Sequence, residues 1–283
     1  MKKKLSALSL FAVLILCVQS SLAQNYKGTP KKTAQEYGPF NLAKLPPTRS
    51  TLPPVSGTCG NPAGHCLFYG GDFLLDPVGP NIANALANEN TTAVTGSPYG
   101  AATWVPFAVP AGQTWAVNGL FSNNMMTYGV LDQSPNQPTA AAYWAIQEGI
   151  EPGIAGTTIA SGTNAATSIS TGRSAFLLNE YTIEVKGISV TLSSGTYWLA
   201  VVPFCTNSLN PYCDGVSFLS DVEYINTRAT NAVGSEPQDS AYFDSSFFGL
   251  SYNPTNGPLG ACAGVGCDSF SAGVIGHLLS GSN

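Results

Sequence analysis

The chain has 283 residues, of which 44% are hydrophobic and only 10% charged, with 30 glycines, 20 prolines and a net charge of −5. Acids outnumber bases 16 to 11, which excludes binding driven by phosphate backbones. Gly and Pro interrupt nearly every window, which leaves little room for helices.

The N-terminus reads MKKK, then an apolar run from Leu5 to Val18, then QSSLAQ. This order predicts a secretory signal peptide over residues 1–23, cleaved after Ala23. The apolar run is shorter than the ~20 residues of a spanning helix. A lipoprotein would use Cys17, but Leu16 stands where a small residue should precede it. No later stretch predicts a membrane span. The expected location is therefore extracellular or periplasmic, free or held at the surface by contacts with other molecules.

Residues 24–57 predict an extended linker, with Pro30, Pro39, Pro46, Pro47, Pro53 and Pro54. Here Lys27, Lys31, Lys32, Lys44 and Arg49 face Glu36 alone. A solvated tail is expected, with contact to an anionic envelope polymer as the alternative. From Ser56 onward only Arg173, Lys186 and Arg228 stand against 15 acids.

Residues 58–283 predict one all-β domain, a single antiparallel β-sandwich of jelly-roll type. The Ala-rich NIANALANEN at 81–90 allows at most a short helix or turn. Strands are expected at 103–109, 114–122, 140–148, 157–162, 173–178, 181–192 with a break at Gly187, and 196–204. Others follow at 216–225, 241–250 and 270–278. In 196–204, Tyr197, Leu199 and Val201 share one side, while Trp198, Ala200 and Val202 share the other. Both sides are apolar, which predicts a strand covered on both faces rather than an aromatic platform for a ligand.

The segments YGGDF, ANEN, YGAATWVPFAVPAGQTWAVNGLFSNN, AYWAIQEGI, TTIASGT and YTIEVKGISVTLSSGTYWLAVVP span roughly residues 67–204. Together they resemble secreted bacterial β-sandwich domains of envelope-sorted proteins, including those with a PEP-CTERM sorting tail. These are turn and core motifs, so the resemblance implies fold and export and no particular activity. The chain departs from the pattern by lacking a sorting tail.

Past the leader, six cysteines form three close pairs: Cys59 and Cys66, Cys205 and Cys213, Cys262 and Cys267. In an exported chain they predict disulfides. The turn-forming segments between them favour local pairing, with a staple between the two ends as the alternative. A zinc site competes poorly, since His65 and His277 are the only histidines.

For chemistry the inventory is thin. Nucleophile-elbow, zincin, P-loop and dinucleotide motifs are missing, and both histidines read as structural. A carbohydrate-active enzyme needs only two carboxylates. Glu180 and Glu184 share a strand face but stand ~13 Å apart at strand rise, beyond the ~5–9.5 Å of glycosidase pairs. Glu148 with Glu151, and Asp221 with Glu223, are the other pairs. Calcium is the more natural cofactor, with Asp72, Asp76 and Glu89 as candidate ligands in a loop-rich segment. The expected role is non-enzymatic binding or structure at the cell envelope, with a glycan or envelope polymer as partner. The enzyme is the alternative.

Overall fold

Runs of Val, Ile, Thr and aromatic residues in the middle of the chain form long antiparallel strands, because branched and flat side chains suit a pleated surface. The computed structural model describes Cys59 and residues 66–71, 85–88, 100–126, 139–175, 178–203, 217–220, 233–234, 241–246, 249–256 and 270–280. The strands are β1 (Cys66–Tyr69), β2 (Ala85–Ala87), β3 (Ala102–Met126), β4 (Thr139–Glu148) and β5 (Thr157–Ala175). They continue with β6 (Leu178–Pro203), β7 (Ser217–Ser220), β8 (Tyr242–Ser245), β9 (Leu250–Pro254) and β10 (Ala272–Ser280).

The all-β antiparallel architecture holds. The main path runs β1-β10-β3-β6-β4-β5, with β2 and β7 beside the C-terminal end of β3. Hairpin β8–β9 joins the N-terminal end of β3 through Ala102, Thr103 and Trp104. Strand β6 organises the rest. Its first half lies between β3 and β5, and its second half between β3 and β4.

Several expected boundaries differ from this. The segments 103–109 and 114–122 are one strand, and so are 181–192 and 196–204. Turn residues at Pro110–Gln113, with Gly112 at φ 78°, bend β3 without ending it. Gly187 is likewise a bend (φ 72°) inside β6. The segment 81–90, expected to form at most a short helix or turn, carries β2, since pairing with β7 overrides the helix preference of alanine.

The bend in β3 builds the core. On a straight strand Phe107 and Trp115 would stand ~26 Å apart, yet their rings stack at 6.2 Å. The ribbon of β3 and β6 therefore folds its two arms towards each other. Phe68, from β1, meets Phe107 at 5.8 Å across the space between them. Val105, Leu120, Trp144, Ile146, Ile183, Val185, Leu199, Val201 and Val274 fill the same core.

Candidate functional site

Strand alternation sends Tyr197 and Trp198 to opposite faces, and both are covered. Tyr197 enters the main core, its ring stacked on Phe107 at 5.7 Å and its hydroxyl donating to the Ser193 carbonyl at 3.0 Å. Trp198 enters a second cluster with Ala102, Trp104, Ala145, Ile150, Ala200, Val202, Tyr242 and Tyr252. Hairpin β8–β9 forms its lid. Tyr242 meets Trp198 at 6.0 Å, and Tyr252 meets Trp104 at 5.9 Å. The two residues are 7% and 5% exposed, so neither offers a stacking platform.

Polar groups edge this second cluster. Gln147 Nε2 reaches Thr158 Oγ1 and the Tyr252 hydroxyl, each at 3.4 Å. Tyr252 sits at φ 40°, a left-handed backbone rarely adopted by aromatic residues, and its carbonyl accepts from Gly153 N at 3.1 Å. The Tyr143 hydroxyl is pushed up from 10.0 to about 12, first by burial and then by Tyr252 and Asp244, against a hydrogen bond with Ser161 that lowers it. Burial, followed by the charge of Glu148, raises the Tyr197 hydroxyl as well.

The other arm of β6 turns Glu180, Thr182 and Glu184 to the outer face, and all three are buried. Thr182 Oγ1 donates to Asn123 Oδ1 at 2.7 Å. Asn123 Nδ2 donates to Ser271 Oγ at 2.7 Å and to the Tyr69 hydroxyl at 3.2 Å, and Ser271 Oγ donates to the Gly71 carbonyl. Glu180 accepts from Thr171 Oγ1 at 2.8 Å. Glu184 is 2% exposed, with Lys186 Nζ 3.0 Å from Oε2 at an angle that makes an ion pair rather than a hydrogen bond.

A separate polar group holds the C-terminal end of β3. Asn88 Nδ2 donates to Asn124 Oδ1 at 2.9 Å and to the Val201 carbonyl at 2.8 Å, while Asn88 Oδ1 accepts from Thr103 N. Ser122 Oγ donates to the same Val201 carbonyl. Asn88, Ser122, Asn123 and Asn124 were not singled out from sequence. The signal was there, however, in three consecutive polar residues at the end of an aromatic strand.

Of the expected site residues, Cys59 and Cys66 are joined by a disulfide. Cys205, Cys213, Cys262, Cys267, Asp72, Asp76, Glu89, Asp221, Glu223 and His65 lie outside the described residues. Among the described residues no three Asp, Glu, His or Cys side chains gather as a metal-binding group. Glu148 and Glu151 are exposed on the β4–β5 turn, and His277 is exposed on β10. Glu180 and Glu184 are both buried. No helix among the described residues is long and apolar enough to cross a membrane. Compared with family models, with curated proteins and with solved structures, the chain matches none.

Proposed function

We propose that the chain is an exported, non-catalytic module with a binding or structural role at the cell envelope, its bent sheet forming the two layers of a sandwich. The observation that carries this reading is the double coverage of β6. Its aromatic residues Tyr197 and Trp198 are buried in packing, and its carboxylates are buried too, Glu180 hydrogen-bonded by Thr171 and Glu184 ion-paired with Lys186. The Cys59–Cys66 disulfide and the secretory leader support export. Any glycan contact then falls to loops and strand edges.

A glycan array run beside a polysaccharide-hydrolysis assay tests the reading. The expected outcome is no hydrolysis, with any glycan binding unaffected by conservative changes at Glu180 and Glu184. Hydrolysis abolished by Glu180→Gln or Glu184→Gln would sink it.

A further inference from the structure

Strand β5 changes partners along its length. It pairs with β4 through Thr157–Thr167 and with β6 through Ala166–Ala175. Over Thr157–Ala165 its side away from β4 has no strand partner among the described residues. A register jump places Ile159 in a bulge, leaving Ala160–Ala165 as a regular edge with Ser161, Thr163 and Ala165 exposed. Protein sheets usually guard such an edge with lysine, proline or an inward charge. Here no charged residue occurs between Glu151 and Arg173, and no proline between Pro152 and Arg173.

We propose that this edge pairs antiparallel with the same edge of a second copy of the chain. Charge selects that occupant. From Ser56 onward the chain has 15 acids and three bases, so two copies repel across most approaches, whereas the β5 edge is neutral. Antiparallel pairing also sets complementary charges together. At the far end of the edge β6 takes over with Val185 opposite Ala166, and the next residue, Lys186, has a side chain 65% exposed. The second copy runs the other way, so its β4–β5 turn, with exposed Glu148 and Glu151, is carried towards this lysine. The two-fold axis repeats the contact at the opposite end. Small hydroxyl and methyl side chains at 161, 163 and 165 let the strands approach without desolvating a charge.

Sedimentation of the mature chain over a range of concentrations tests this, with melting temperature as the check on folding. A reversible dimer is expected. Ser161→Lys with Thr163→Lys puts like charges opposite each other for an axis at residue 161, 162 or 163, the middle of the edge, and should weaken association by about fivefold or more. Glu151→Lys should weaken it about two- to fivefold by facing Lys186 with a like charge. Amide exchange within Thr157–Ala165 should slow as concentration rises. A chain that stays monomeric overturns the proposal. So does a dimer indifferent to the lysine pair, or one whose concentration-dependent protection falls outside β5. If the lysine pair prevents folding, the exchange measurement and Glu151→Lys decide alone.

Discussion

The two halves of β6 bury their outer faces by different means. Around Trp198, Ala200 and Val202 the cover is an aromatic hairpin, and the interaction is dispersion and area removed from water. Around Glu180, Thr182 and Glu184 the partners are polar: Thr171 and Asn123 hydrogen-bond the first two, and Glu184 has the Lys186 ion pair. One face tolerates loss of volume poorly, and the other tolerates loss of a partner poorly. The same strand thus carries two kinds of fragility, centred on Thr182 and Ala200.

The sharpest way to break this comparison is at the aromatic end. Trp198→Ala should cost ~3–5 kcal/mol by opening a cavity beneath Tyr242, and Tyr197→Ala a similar amount within the main core. Thermal or urea denaturation reads both. A variant of either that folds with unchanged stability would return that face to candidate ligand binding.

At the polar end Asn123→Ala removes bonds to Tyr69, Ser271 and Thr182 at once. The expected loss is ~2–3 kcal/mol, since buried partners are left unsatisfied. Substituting the smaller Ser for Thr182 should cost less, because the hydroxyl that reaches Asn123 is retained.

A smaller effect is expected at the ion pair. Lys186→Ala leaves the Glu184 carboxylate without its opposite charge and should cost about 1 kcal/mol, discounted because the lysine is largely solvated. Adding Glu184→Gln to that variant should recover part of the loss. If the double variant is no better than the single one, the pair is not what the lysine contributes.

The smallest effect is a pH dependence at the hairpin-covered end. The Tyr143 hydroxyl is raised, so its contribution is full below the ordinary value of 10.0 and is lost as pH rises through about 12. Denaturant midpoints measured across that window should fall with rising pH, and Tyr143→Phe should flatten the fall. The raised Tyr197 hydroxyl acts in the same direction, so a residual slope in Tyr143→Phe is expected.

Local chemistry sufficed for the strand-rich class, for the Cys59–Cys66 pairing and for the split of Tyr197 and Trp198 between two faces. Each of these depends on neighbours in sequence: alternation with period two, turn formers between close cysteines, and the scarcity of helix formers. The polar face of β6 marks the limit of such local chemistry. Glu180, Thr182, Glu184 and Lys186 alternate with Tyr181, Ile183 and Val185 in the pattern of a half-solvated strand, yet the first three of these outer residues are buried. Only the tertiary structure decided that. The partners of Asn123 lie 148 residues away at Ser271 and 54 away at Tyr69, and Asn88 finds Val201 at a separation of 113. The joining of two expected strands into β3 was decided in the same way. Its bend is held by rings stacked across the fold and by β6 running alongside, and no window of local residues contains those contacts.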